Sequence, residues 1–295
     1  MRISSFLKKD GIGYLFLSPW IIGMLAFTFI PIVFSLYFSF TDYEMFNSPK
    51  WVGLDNYKNI FTNDEQFLEA LSVTFRYVLI AVPLELAFAL SIALMLNKGL
   101  AGLRIYRAVY YIPSLFGGSV AIALLWRQVF GAKGLFNVVL GYFGLDGVSW
   151  IATPEYALYT LIALKIWQFG SPMIIFLAGL QQIPTELYEA AAIDGAGKRS
   201  QFFRVTIPML TPIIFFNLVM QIIHAFQAFT PAYVVSGGTG GPLNSTLFYT
   251  LYLYQKGFVS FQMGYASALA WILLVIIAIF TCLTFLSSKK WVHYE

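Results

Sequence analysis

The chain has 295 residues, of which 59% are hydrophobic and only 11% charged, against about 25% charged in soluble domains. Such a composition cannot be folded with a polar exterior, so lipid must solvate much of the chain. The formal charge of +4 is small and scattered, which argues against a nucleic-acid partner. A lone Cys282 inside an apolar run leaves no disulfide framework, and two distant histidines, His224 and His293, leave no metal site.

Six apolar stretches reach the roughly 20 residues a membrane crossing needs, near positions 14–40, 71–96, 108–130, 156–180, 209–229 and 264–286. Arg2, Lys8 and Lys9 precede the first. That run is too long for a signal-peptide core and lacks a small-residue cleavage site, so it reads as a helix. Eleven lysines and arginines flank the N-terminus, the second and fourth loops and the C-terminus, including Lys98, Arg104, Arg107, Lys198, Arg199, Arg204, Lys289 and Lys290. Only Lys50, Lys58, Lys133 and Lys256 fall in the loops between. The positive-inside rule then predicts both termini in the cytoplasm. The predicted fold is an all-α integral membrane protein with six transmembrane helices, one domain covering residues 1–295. Its outer segments are 41–70, 131–154, with an interfacial piece near 134–143, and 230–263. The last holds a flexible run from Gly237 to Pro242 and an aromatic run through Tyr249, Tyr252 and Tyr254.

Charges and amides inside lipid need partners or a wet cavity. Arg76 and Glu85 fall in the second span and Lys165 in the fourth. At 1.5 Å of rise per residue, Glu85 and Lys165 lie roughly 20 and 15 Å from the same membrane face. Two roles stay open for Lys165: an ion pair with Glu85, or contact with a transported solute. Asn217, Gln221 and His224 follow one another at i, i+4 and i+7, one face of the fifth helix, with Gln227 beside them. Lys165, Gln168 and Ser171 recur in the fourth, where Gly170 and Pro172 loosen the backbone. Such stripes also serve plain helix packing, but the set favours a cavity. Amides, a hydroxyl and aromatic faces such as Trp167 and Phe226 suit sugars. No nucleophile–base arrangement accompanies them, so the chain is expected to be no enzyme and to need no cofactor.

Between the fourth and fifth spans, residues 189–212 read EAAAIDGAGKRSQFFRVTIPMLTP. Thr185 to Ile193 suit a short helix after Pro184, and Ala190, Ala191 and Ala192 give it a small-residue face. Asp194 and Gly195 should end it, glycine tolerating positive φ. A second short helix is expected from about Ser200 to Pro208. Gly197-Lys198 does not complete a phosphate-binding loop, since Ala192 replaces the first glycine and Arg199 the Ser or Thr.

Glu189, Ala190 and Ala191, then Asp194, Gly195 and Ala196, then Phe203, Ile207, Pro208 and Pro212 resemble the EAA loop of ABC-importer permease subunits. The variant most resembles that of carbohydrate-uptake permeases of the maltose and glycerol-phosphate type. Trp51-Val52-Gly53-Leu54-Asp55-Asn56-Tyr57 also resembles this family, and the similarity runs from about Tyr14 to Phe285. Tyr14 through Tyr43 is similar to the first-encoded of two paired permeases. The resemblance implies that 184–208 is a coupling helix seated in an ATP-binding subunit, with Glu189, Ala190, Ala191, Asp194, Gly195 and Ala196 making the contact. It also implies a second permease subunit in a heterodimer, two cytoplasmic ATP-binding subunits and an extracytoplasmic solute-binding protein facing the outer loops. The site would be the cytoplasmic membrane of a bacterium or archaeon, and the cargo a sugar, expected to be an oligosaccharide. Lys165, Gln168, Ser171, Asn217, Gln221 and His224 are the expected substrate path. Two alternatives remain: the same machinery importing an anionic solute, such as a uronate oligosaccharide or glycerol phosphate, and an ion-coupled secondary transporter using Glu85.

Overall fold

The computed structural model describes residues 3–98 and 102–293. Its helices are α1 (Ile3–Met24), α2 (Ile30–Ser39), α3 (Asp55–Thr62), α4 (Glu65–Leu96), α5 (Leu103–Phe116), α6 (Val120–Val129), α7 (Leu135–Tyr142) and α8 (Pro154–Trp167). They continue with α9 (Gly170–Leu180), α10 (Thr185–Ile193), α11 (Lys198–Gln201), α12 (Ile207–Phe226), α13 (Thr230–Ser236), α14 (Tyr249–Tyr254) and α15 (Met263–Ser288). Among the described residues, four helical segments are long and apolar enough to cross a membrane: Gly13–Ser39, Glu65–Leu96, Lys198–Ser236 and Met263–Ser288. Two bent pairs, α5 with α6 and α8 with α9, raise the number to six if each is one crossing.

Two proline-bearing spans stay helical for one shared reason. A proline ring clashes with the carbonyl four residues back and offers no N–H. Just before Pro31 the Ile30 N–H bonds to Leu25 O, and just before Pro208 the Ile207 N–H bonds to Phe202 O. These wider i→i+5 turns are π-type, and they sit immediately upstream of each proline. The second short helix expected to stop at Pro208 therefore does not stop. It begins at Lys198 and runs through Phe202–Thr206 into α12.

The span expected near 108–130 is not straight. α5 and α6 meet at 97° across Gly117 and Gly118, and Ser119 caps the new helix by accepting from the Ile122 N–H at 3.3 Å. α8 and α9 meet at 41°, with Gln168 and Phe169 in tightened turns to the carbonyls of Lys165 and Ile166.

The chain falls into two compact units. One comprises residues up to Asp64 together with Leu253–Ile272. There the antiparallel strands β1 (Thr41–Asp42) and β2 (Lys50–Trp51) follow α2. Asn56 Nδ2 donates to the carbonyls of Ser39 and Thr41 at 2.9 Å each, and Tyr57 OH donates to Ser39 Oγ at 2.8 Å. The Trp51–Tyr57 string thus clamps the end of the first span, with the Trp51 ring stacked on Phe40.

The other unit is built on α4, which packs against α8, α9 and α12. Its buried residues Phe67, Ala70, Thr74, Tyr77, Val78, Ala81, Glu85, Ala89 and Ala93 repeat at three or four positions, one continuous face. Alanines along that face let neighbouring backbones approach closely. The aromatic run at 247–252 lies in this interior. Tyr249 and Tyr252 are fully buried, and the Tyr249 N–H bonds Thr74 Oγ1 at 2.8 Å. Within the segment 230–263, which the sequence reads as an outer loop, they are core residues.

Candidate substrate path and coupling loop

Lys165 lies near the end of α8, beside α4 and α12. Its Nζ donates to Gln221 Oε1 at 2.7 Å and sits 3.2 Å from Glu85 Oε2. The ammonium aims its donor at the amide and holds the carboxylate as an ion contact, without an aligned hydrogen bond. Glu85 is 1% exposed, so this contact balances a carboxylate buried in the interior. Of the two roles left open for Lys165, the pairing is present.

Asn217, one turn earlier on α12, is fully buried, and among the described residues neither Nδ2 nor Oδ1 has a hydrogen-bond partner. His224, one turn after Gln221, is exposed, as is Gln227. Polar groups on one helix face thus run from an enclosed orphan amide, through the Lys165 cluster, to an open imidazole.

Gln168 and Ser171 lie in a second cluster, apart from Lys165. Gln168 Nε2 donates to Gly117 O at 2.9 Å, and its own carbonyl accepts from Ser114 Oγ at 2.8 Å. The Ser171 N–H donates to the same hydroxyl at 2.9 Å. Gly170 lets α5 come this close, since a Cβ there would sit 2.5 Å from Tyr110 O. The two helix breaks are therefore tied to each other. The bend between α8 and α9 falls within the Lys165–Gln168–Ser171 stripe, so its members are brought to two clusters. Ser114, Gly117 and Glu85 complete these clusters. Glu85 was visible in the sequence as an intramembrane charge, whereas Ser114 and Gly117 carried no signal beyond the Gly-Gly-Ser break.

Arg76 lines a separate cavity of about 570 Å³ near the starts of α4 and α8, with Glu69, Glu155 and Asn244. Asn244 Nδ2 donates to Glu69 there at 2.7 Å.

At the loop 184–208, α10 has no buried residue. Its end is a complete left-handed cap: the Gly195 N–H bonds Ala192 O at 3.0 Å, the Ala196 N–H bonds Ala191 O at 2.9 Å, and Gly195 has φ +78°. Glu189, Ala190, Asp194 and Gly195 are exposed, Ala191 and Ala196 half-buried. Ile193 is 87% exposed, an apolar side chain left bare beside a carboxylate-bearing face. The loop is braced from behind by Tyr188 OH, 3.0 Å from Thr206 Oγ1, and by Gln201 Nε2, which donates to Ala196 O at 3.2 Å.

A multi-pass helical membrane protein with a polar cluster between its central helices and a bare, rigidly capped helix between two spans has the architecture of a transport permease. Comparison with known proteins makes this specific. A profile of the family described as "binding-protein-dependent transport system inner membrane component" matches residues 66–293, and the chain belongs to that family of ABC transporter permeases, in its carbohydrate-transport branch. It is similar to the probable ABC transporter permease protein YesP of Bacillus subtilis, at 55% identity over 100% of this chain and 96% of the relative. The multiple sugar-binding transport system permease protein MsmF of Streptococcus mutans is 35% identical over 98% of this chain and 99% of its own. Among solved structures, a chain of a bacterial alginate ABC transporter, crystallised with its alginate-bound periplasmic protein, superposes with a TM-score of 0.84 at 24% identity, covering 98% of both chains. That likeness establishes the fold.

Proposed function

We propose that this chain is one membrane subunit of an ATP-driven, binding-protein-dependent importer of oligosaccharides in a bacterial or archaeal cytoplasmic membrane. It works beside a second, non-identical permease, two cytoplasmic ATP-binding subunits and an extracytoplasmic solute-binding protein. The carrying observation is the 184–208 loop. A nine-residue helix with a bare face costs free energy unless something covers it, and the cap at Gly195 with the Tyr188–Thr206 brace keeps it rigid. Rigidity suits a lever that transmits closure of the ATP-binding subunits to α9 and α12, the helices it joins. Hydrolysis belongs to those partners, and this chain supplies no catalytic group.

Carbohydrate cargo is supported by the sugar permeases among its relatives. Polar groups from Asn217 to His224 extend over about 10 Å of α12, longer than a single sugar ring, which favours an oligosaccharide. Lys165 is neutralised by Glu85 in this arrangement, so it anchors an anionic solute only where Gln221 and Glu85 release it.

Gly195→Val tests the coupling role, because a β-branched residue resists φ near +78°. The variant should insert at wild-type level and lose ATP-dependent uptake while the ATP-binding subunits keep their basal hydrolysis. Wild-type uptake at equal membrane abundance would overturn the assignment.

A further inference from the structure

The segment between α6 and α8 is folded around Asn137, at the end of α8 remote from the 184–208 loop. Asn137 Nδ2 donates to the carbonyls of Ala132 at 2.9 Å and Val148 at 2.7 Å, and its Oδ1 accepts from Trp150 Nε1 at 2.6 Å. These bonds fix the turn at 131–134. Gly134 is buried in it, and a Cβ there would collide with the carbonyl oxygens of Gln128 and Val129. The turn walls a cavity of about 490 Å³ whose polar lining is Arg127, Gln128 and Lys133. No carboxylate lines it, and among the described residues none lies within ion-pair distance of either cation. The cavity also reaches Gly134 and Leu135, the start of α7, where glycine offers no side chain to cap the first-turn amides. Arg127 and Lys133, both exposed and neither ion-paired among the described residues, line one space with the start of α7, which suits an oxyanion.

The surroundings say which oxyanion. α7 has no buried residue, and Leu135, Val138, Val139, Tyr142 and Phe143 are all exposed, as are Leu124 and Leu125 of α6. In a membrane protein an apolar face of this kind lies at the hydrocarbon boundary, and cations at its edge lie at headgroup depth. A soluble anion would satisfy the cations and leave the apolar face bare. A lipid satisfies both.

We propose that this cavity holds the phosphate of a phospholipid in the leaflet on that side of the membrane, ligated by Arg127 and Lys133, with its acyl chains along the exposed faces of α6 and α7. The site is distinct from the polar stripe of α12 and stands whether or not that stripe carries cargo. The test uses the full chain purified in mild detergent, incubated with phosphatidylglycerol or with diacylglycerol of the same chains, and examined by native mass spectrometry. Phosphatidylglycerol should be retained and diacylglycerol lost. The double variant Arg127→Gln, Lys133→Gln removes two charge-assisted hydrogen bonds and should lower retention at least about tenfold. Arg127→Lys with Lys133→Arg keeps both charges and should keep the lipid, which separates ligation from misfolding. Equal retention by wild type and the glutamine variant, or equal retention of the two lipids, overturns the proposal. So does displacement of phosphatidylglycerol by equimolar inorganic phosphate, which would make this a site for a free anion.

Discussion

At the scale of single residues, two buried polar groups make opposite predictions. Glu85 and Lys165 balance each other, and removing one partner of a buried pair leaves an uncompensated charge at a cost of about 3–5 kcal/mol. Glu85→Ala or Lys165→Ala alone should therefore lower the thermal unfolding midpoint in detergent. The double variant should recover most of the loss, a large coupling in the double-mutant cycle. If the double variant regains stability but not uptake, Lys165 also handles cargo. Asn217 is the reverse case. Its enclosed amide has no partner among the described residues, a state that costs about 1–3 kcal/mol. Asn217→Leu should raise the unfolding midpoint and reduce uptake, because a group useless in this conformation serves the other one or the passing solute. Unchanged uptake in a stabilised Asn217→Leu protein would reduce the residue to a packing defect.

At the scale of elements, what the sequence revealed depended on whether a signal was local or relational. The helix spanning 71–96 was legible because its apolar face repeats along one segment, and the Gly195 turn because one residue type serves that backbone conformation. The pairing of Glu85 with Lys165 was one of two open roles, raised by their similar depth along the helix rise. The break between α5 and α6 was written as Gly117-Gly118-Ser119, yet apolarity on both sides masked it. Burial of Tyr249 and Tyr252 was not legible, because an aromatic residue looks the same at a membrane interface and in a core. The division of the Lys165, Gln168 and Ser171 stripe was hidden too, since spacing shows a shared face but not a bend within it. That division is testable. Gln168 and Ser114 join the two helix breaks, so Gln168→Leu and Ser114→Ala should each cost about 1 kcal/mol of stability. Neither should alter the preference among sugars, and a changed preference would return Gln168 to the substrate path.

At the scale of the whole molecule, everything proposed about partners rests on which side of the membrane each loop faces. The lysine and arginine asymmetry predicts the 184–208 loop on the cytoplasmic side and the Gly237–Gly241 turn outside. The structure adds good reporters at both: Ile193 is 87% exposed at the tip of α10, and Thr239 is exposed in the glycine-rich turn. Cys282 is exposed on α15 and is first changed to alanine to give a silent background. Ile193→Cys should then react with a membrane-impermeant maleimide only in inside-out vesicles, and Thr239→Cys only in intact cells. An ATP-binding partner should protect Ile193→Cys, since a residue under a docked subunit cannot be reached, while Thr239→Cys should be shielded only when the solute-binding protein is added. Labelling of both positions from one side would remove the odd number of crossings between them. Labelling in the reversed sense would turn the bare helix outward, where no ATP-binding subunit can reach it, and the coupling assignment would fall with the topology.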